Sequence, residues 1–137
     1  MTRRELQRLS ALRLKEAYVL LSAGCPEGAY YLAGYAAECA FKACIARKTL
    51  RHEFPDLDRA RESWTHSLPQ LARSADLELE LNQSDKSSSP LHANWRLVRE
   101  WKEGSRYERR TLKEAQGLID ALADRKYGIV SWLKRYW

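Results

Sequence analysis

The longest nearly continuous run of apolar positions lies between Gly28 and Ile45, where Glu38 and Lys42 are the only charged residues. The run is rich in alanine, the strongest helix former, and it is too long for an ordinary strand. A helix that is apolar on every side is normally buried among other helices. The pattern therefore predicts a central helix, in which the alanines and Gly34 let neighbouring helices approach closely.

A first helix is predicted ahead of the central one. Thr2 and Glu5 have the spacing of a capping box. After them, apolar residues recur at helical spacing, namely Leu6, Leu9, Leu12, Ala17, Leu20 and Leu21. Gly24 ends this helix, and Cys25-Pro26 opens the next, because proline is favoured in a first helical turn. The two helices are predicted to form a tight antiparallel hairpin.

Shorter helical patterns follow a predicted break at Phe54–Leu57. Thr65 or Ser67 can cap a third helix that ends near Ala75. The next six residues, D-L-E-L-E-L, alternate leucine with acid as a strand would. Because the sequence offers no second strand to pair with them, they are predicted to form a short helical or extended turn.

The last part of the chain begins with a polar loop over Gln83–Pro90. A fourth helix is predicted from about Pro90 to Lys102, and a final element runs from Thr111 towards the C-terminus, with a break at Asp124–Gly128. No linker or internal repeat divides the chain. The sequence therefore predicts one all-α domain over residues 1–137, an antiparallel bundle of four long helices plus short helices.

Charge and cysteine usage narrow the class of protein. The net charge of +6 suits an anionic partner such as RNA or a nucleotide, although a solvated surface explains it equally well. Cys25, Cys39 and Cys44 form no CxxC motif and lack histidines at zinc-binding spacing, which favours a reducing, cytoplasmic compartment and no metal. The charged N-terminus is unlike a signal peptide. Glu38 and Lys42 argue against a membrane span, and no motif indicates a cofactor.

Several blocks of the sequence together resemble the HEPN domain family. They are Y-Y-L-A-G-Y-A-A-E-C-A-F-K-A-C-I-A in the central helix, then T-H-S-L-P-Q-L, then N-W-R-L-V-R-E-W with S-R-Y after it, and finally G-I-V-S-W-L. The resemblance covers essentially the whole chain. It implies a helical bundle that often dimerises and that handles RNA or nucleotides, frequently in bacterial toxin–antitoxin or defence systems beside a small nucleotidyltransferase.

The family also includes metal-independent RNases, whose signature is an arginine followed a few residues later by a histidine near the start of a late helix. The arginine stabilises charge on the phosphate, and the histidine acts as general base or acid at the ribose 2′-OH. The corresponding region here, Ser105–Leu112, has arginines but no histidine. Arginine and histidine with four residues between them occur earlier, as Arg47/His52 and Arg61/His66. Arg61 and His66 are therefore the catalytic candidates, although such pairs also arise by chance in a basic chain.

The polar residues of the central helix share one side of it. Tyr31, Tyr35, Glu38 and Lys42 are spaced three or four residues apart. They can form a buried Glu38–Lys42 ion pair satisfied by tyrosine hydroxyls, or they can form one wall of a ligand pocket. His66 has two corresponding interpretations, since it can cap or pack a helix, or it can contact a phosphate or pair with Glu38.

Arg106 and Tyr107 are the leading ligand-binding candidates. Arginine binds phosphate in a bidentate manner, and aromatic rings stack on bases. The surrounding segment, Arg96–Lys113, is locally basic although glutamates dilute it. Trp101 is a further candidate, but Trp95 and Trp101 would point about 120° apart on a regular helix. At least one of these two tryptophans is therefore predicted to pack in the core.

The C-terminus is unusually aromatic, through Trp132, Tyr136 and Trp137. These residues can form a partner-binding patch or simply close the bundle. Three hypotheses remain open. The chain is a non-catalytic HEPN-type nucleotide- or RNA-binding module that works as a homodimer and with a partner protein, or an endoribonuclease toxin that uses His66 with Arg61 or Arg106, or a small assembly subunit that docks a larger complex through this C-terminus.

Overall fold

The computed structural model describes residues 1–49, 57–83 and 89–137, with the exception of the Arg59 side chain. Three sequence predictions fall at least partly outside these ranges: the break at Phe54–Leu57, the histidine of the Arg47/His52 pair, and most of the Gln83–Pro90 loop. Every regular element within the described ranges is helical. The prediction of an all-α fold is therefore confirmed for the described residues.

The helices differ greatly in length. They are α1 (Arg3–Ser22), α2 (Pro26–Lys48), α3 (Leu57–Glu62), α4 (Leu68–Ser74), α5 (Glu78–Asn82), α6 (Pro90–Val98), α7 (Leu112–Ala123) and α8 (Ile129–Leu133), with a 3₁₀ helix at Glu103–Tyr107. Helices α1 and α2 have 20 and 23 residues, whereas α7 has 12 and α6 has 9. No helix in the described ranges is both long enough and apolar enough to cross a lipid bilayer.

Helix α1 begins and ends where the sequence predicts. The Thr2 amide donates to Glu5 Oε2 at 2.6 Å, and the Glu5 amide donates to Thr2 Oγ1 at 3.2 Å, so the capping box is present. The helix ends at Ser22, and Gly24 follows with a φ of +76°, a conformation that favours glycine. Pro26 then opens α2.

Helices α1 and α2 pack along each other in opposite directions. Leu20 lies against Gly28 near the connection, and the buried Ser10 hydroxyl donates to the Ala36 carbonyl at 2.7 Å farther along. Moving towards the N-terminus of one helix thus means moving towards the C-terminus of the other. The predicted antiparallel hairpin is confirmed.

The core is built around α2. Its alanines are completely buried at positions 29, 33, 36, 37, 40 and 43. Later helices supply the large buried side chains, which include Leu68, Leu71, Trp95, Leu118, Ile119, Leu122, Ile129 and Leu133. Small residues on the central helix therefore leave the space that large residues on its neighbours fill. This division explains why a helix with so many alanines lies at the centre.

Two boundaries refine the sequence predictions. Helix α6 ends at Val98, short of the predicted Lys102. Beyond it the Trp101 amide donates to the Val98 carbonyl at 3.1 Å, which closes a turn and does not continue the helix. The predicted interruption at Asp124–Gly128 is confirmed, since Asp124 Oδ2 accepts the Tyr127 amide at 2.8 Å between α7 and α8. The early end of α6 is what places the 3₁₀ helix against α2.

Candidate functional site

The candidate site begins on the polar side of α2. The Tyr31 hydroxyl donates to the Tyr35 hydroxyl at 3.3 Å, and Lys42 Nζ lies 2.7 Å from Glu38 Oε1. The Glu38 side chain is only 5% exposed, whereas the Lys42 side chain is 23% exposed. The ion pair predicted from the sequence is therefore present, with its carboxylate buried and its ammonium group reaching solvent.

The connection between α3 and α4 contributes His66. Its Nδ1 lies 3.0 Å from Glu38 Oε2, so one buried carboxylate binds both Lys42 and His66. The local turn positions the ring: Thr65 Oγ1 accepts the Ser67 amide at 3.0 Å, and Ser67 Oγ accepts the Gln70 amide at the start of α4. The His66 side chain remains 42% exposed. The His66 ring can therefore contact a ligand from solvent while its Nδ1 stays bound to Glu38.

The 3₁₀ helix brings a second carboxylate and an arginine to the same place. Glu103 Oε2 lies 3.5 Å from His66 Nε2, and Glu103 Oε1 accepts from the Tyr35 hydroxyl at 3.4 Å. The Arg106 guanidinium lies 3.8 Å from Glu103. These five side chains, Glu38, Lys42, His66, Glu103 and Arg106, are called the polar cluster below. They come from three separate segments of the chain.

A buried tryptophan forms the floor beneath the polar cluster. Trp101 is 1% exposed, and its ring centroid lies 5.2 Å from that of Tyr35 and 6.4 Å from that of Tyr31. A Cβ atom added at Gly34 would lie 2.0 Å from the Trp101 ring, so only glycine allows this close approach. Trp101, a ligand-binding candidate from the sequence, thus supports the tyrosines and has no face open to a base. Trp95 is equally buried.

The charges of the polar cluster are nearly balanced. Lys42 and Arg106 offset Glu38 and Glu103 when His66 is neutral. Burial, followed by a hydrogen bond with Tyr31, raises the pKa of Tyr35, which keeps its hydroxyl protonated as a donor. A side-chain hydrogen bond with Tyr31 is also the largest cause of the raised pKa of Arg106. Tyr31 and Tyr35 therefore connect α2 to Glu103 of the 3₁₀ helix through one chain of hydrogen bonds.

An open groove of about 730 Å³ runs between α1 and α2 beside the cluster. Glu38, Lys42 and Tyr35 line it from α2, and Leu9 and Arg13 line it from α1. His66, Glu103 and Arg106 are not among the residues that line this groove. The sequence left open whether Glu38 and Lys42 form an ion pair or a pocket wall. In the structure the two residues form an ion pair that also lines a groove.

The remaining candidate residues lie around the cluster. Arg61 is exposed on α3, and its side chain makes no hydrogen bond or ion pair with another residue that the structure describes. Tyr107 is 80% exposed, with the Arg106 guanidinium carbon 4.8 Å from its ring centroid. In the sequence, Glu103 is only one of the glutamates that dilute the basic segment Arg96–Lys113. Its spacing of three residues before Arg106 was the available signal.

The aromatic C-terminus packs onto the bundle. Trp132 is buried, its ring centroid lies 4.9 Å from that of Tyr136, and the Tyr136 hydroxyl donates to Glu80 at 2.9 Å. Trp137 is partly buried against the same core. All three aromatic residues thus pack against the bundle, and Tyr136 links the C-terminus to α5 through Glu80.

Comparisons with known proteins give no match. No protein-family model matches it, and neither a curated protein nor a solved structure shows significant similarity to it. Among the residues that the structure describes, no group of three or more His, Cys, Asp or Glu side chains is arranged to hold a metal ion. The geometry of the polar cluster is therefore the main basis for a functional proposal.

Proposed function

We propose that this chain is a HEPN-type nucleotide- or RNA-binding module whose ligand binds at the polar cluster. One observation carries the proposal. The blocks that resemble the HEPN family are far apart in the sequence, yet they supply side chains to one place: Glu38 and Lys42 from the first block, His66 from the second and Arg106 from the third. A purely structural role would not require an exposed histidine and an exposed arginine there.

Arg106 is the principal phosphate ligand in this proposal. Its side chain is about half exposed, and its contact with Glu103 is long at 3.8 Å. Exposed ion pairs of this kind contribute little free energy, so a phosphate can compete for the guanidinium. The planar fork of arginine matches two phosphate oxygens. Lys42 supplies a second cation, and His66 supplies a ring nitrogen close to Glu103.

A binding assay with two arginine variants tests the proposal. Arg106→Gln should weaken binding of a labelled single-stranded RNA of about 12 nucleotides by about tenfold or more, as measured by fluorescence anisotropy. The matched control is Arg109→Gln, three residues along and also exposed, which should change the Kd by less than about threefold. Equal losses in both variants would indicate general electrostatic attraction, and unchanged binding by Arg106→Gln would show that the site is wrong.

The same proposal includes the wider setting that the resemblance implies. It places the protein in the cytoplasm as a homodimer, within a toxin–antitoxin or defence system that includes a nucleotidyltransferase. It also includes the predicted antiparallel bundle, which would be formed by the four longest helices, α1, α2, α6 and α7. Sedimentation equilibrium tests the homodimer directly, because a monomer across the micromolar range would contradict it.

A second candidate function is metal-independent RNA cleavage. The observation that favours it is the contact between buried Glu38 and His66 Nδ1, because a carboxylate on one ring nitrogen orients a histidine for proton transfer at the other. Arg106 is better placed than Arg61 to act with His66, since both Arg106 and His66 contact Glu103. Cleavage that persists with EDTA and is lost in His66→Asn, but not in His92→Asn, would support it. Intact RNA after incubation with the unaltered protein would contradict it.

A further inference from the structure

We infer that the ligand of the polar cluster is single-stranded RNA whose bases stack on two exposed aromatic rings, Trp64 and Tyr107. This inference rests on the proposed function and adds the ligand class and two binding residues. Trp64 was not a candidate from the sequence. The two rings belong to the two chain segments that meet where His66 Nε2 lies 3.5 Å from Glu103.

Trp64 differs from the other tryptophans in its environment. It is 86% exposed, whereas Trp95 and Trp101 are each 1% exposed. Tryptophan is normally well buried on average, so a ring this exposed is unusual. Its amide donates to the Arg61 carbonyl at 3.1 Å, which fixes the turn after α3. Since Trp64 is two residues before His66, its Cα lies within about 7 Å of the His66 Cα.

Tyr107 lies beside the proposed phosphate ligand. Its ring has the Arg106 guanidinium carbon 4.8 Å from its centroid, and most of the side chain is open to solvent. A cation over one face leaves the other face and the ring edge available to a base. A nucleotide can therefore place its phosphate on Arg106 and its base on Tyr107. The next base can reach Trp64 across the His66–Glu103 contact.

The surroundings of the two rings favour nucleic acid over a protein partner. Protein-binding aromatic residues usually lie in a water-excluded centre of an interface. Here the exposed neighbours in sequence are Arg61 and Glu62 before Trp64, and Glu108 and Arg109 after Tyr107. Isolated rings among charged side chains of both signs, in a chain with a net charge of +6, are more typical of a surface that stacks bases along a phosphate backbone than of a water-excluded protein interface.

Fluorescence titration of the full-length chain tests the inference. Single-stranded oligouridine of about 12 nucleotides should quench tryptophan emission, and Trp64→Leu should remove most of the quenching. Trp64→Leu and Tyr107→Leu should each weaken binding by about tenfold, the loss expected for one stacked base. Tyr18→Leu is the control, because Tyr18 is an exposed aromatic residue on α1 and makes no described contact with the polar cluster. Circular dichroism melting should show that all variants fold.

A base-free probe separates this inference from the proposed function. Inorganic polyphosphate should bind Trp64→Leu as tightly as the unaltered protein and should bind Arg106→Gln more weakly. If RNA binding depends on Arg106 but survives both aromatic substitutions, the stacking inference is overturned and the proposed function stands. A preference for duplex RNA over oligouridine would also overturn the inference alone. If the unaltered protein binds neither RNA nor polyphosphate, both the inference and the proposed function are overturned.

Discussion

Two groups of charged side chains in this protein are assembled in different ways. In the polar cluster, Glu38 binds Lys42 on its own helix and His66 from a segment 28 residues away. In the second group, Arg110 pairs with Glu108 and Glu114, which lie within four residues of it at the start of α7. The local group forms wherever that helix start forms. The polar cluster exists only when three distant segments have packed, and only it buries a carboxylate.

The two groups also differ in the free energy needed to form them. Glu114 completes a capping box with Thr111, so the local group satisfies free amides at a helix end. A buried carboxylate loses its hydration, and its partners must offset the free energy of that desolvation with hydrogen bonds and ion pairs. Proteins can dispense with such an arrangement unless it has a use. The comparison therefore favours the polar cluster over the local group as the candidate ligand site.

The largest expected effect comes from the floor of the polar cluster. Gly34→Ala would place a methyl group 2.0 Å from the Trp101 ring and should destabilise the protein by about 3 kcal/mol, at the upper end for overpacking. The matched control is Gly117→Ala on α7, where the nearest atom is 3.8 Å away, so helix propensity should stabilise the protein by about 0.5–1 kcal/mol. Urea unfolding followed by circular dichroism measures both. A Gly34→Ala variant as stable as the parent would show that the contact is not tight.

A smaller loss of stability is expected when the buried carboxylate of Glu38 is removed. Glu38→Ala removes the partner of both Lys42 and His66, and it should destabilise the protein by about 2 kcal/mol. This loss of stability is smaller than the loss expected when a fully buried ion pair is broken, because Lys42 and His66 are both partly exposed. The loss should persist in about 1 M salt, since buried pairs are screened weakly. A loss that salt abolishes would mean that Glu38 behaves as a surface residue.

The smallest effect is expected in the local group. Glu108→Ala should change the free energy of unfolding by no more than about 0.5 kcal/mol, because this residue is exposed and pairs with an arginine that keeps other contacts. Adding about 1 M salt should remove even this difference. The same urea titrations provide the measurement. A loss as large as that of Glu38→Ala would contradict the distinction between the two groups.

Most of the fold was predictable because its signals are local. The capping box at Thr2, the turn at Gly24 and the apolar run of α2 each depend on neighbouring residues, and the structure confirms them. The end of α6 at Val98 was not predictable in this way. Helical spacing continues to Trp101, but the packing of Trp101 against Gly34 takes that residue out of the helix. A long-range contact determines this boundary.

The candidate site was only partly predictable for the same reason. Spacing on α2 placed Glu38 and Lys42 on one side, and the possible pairing of His66 with Glu38 was among the interpretations. The spacing of Glu103 before Arg106 indicates a local pair, but nothing near Glu103 in the sequence shows that it also meets His66. Trp101 was assigned to ligand binding although it is buried. The exposure of a side chain depends on the whole fold and not on its neighbours in the sequence.

The central claim is that RNA binds at the polar cluster, and the ring resonances of His66 test it most directly. In an NMR titration with oligouridine, the His66 ring signals should shift and should saturate with the Kd measured by anisotropy. His92 is the internal control, because its Nδ1 lies 3.0 Å from the Leu81 carbonyl and it makes no described contact with the cluster. The account predicts a large shift for His66 and little change for His92. Saturated RNA binding with unmoved His66 signals would contradict it.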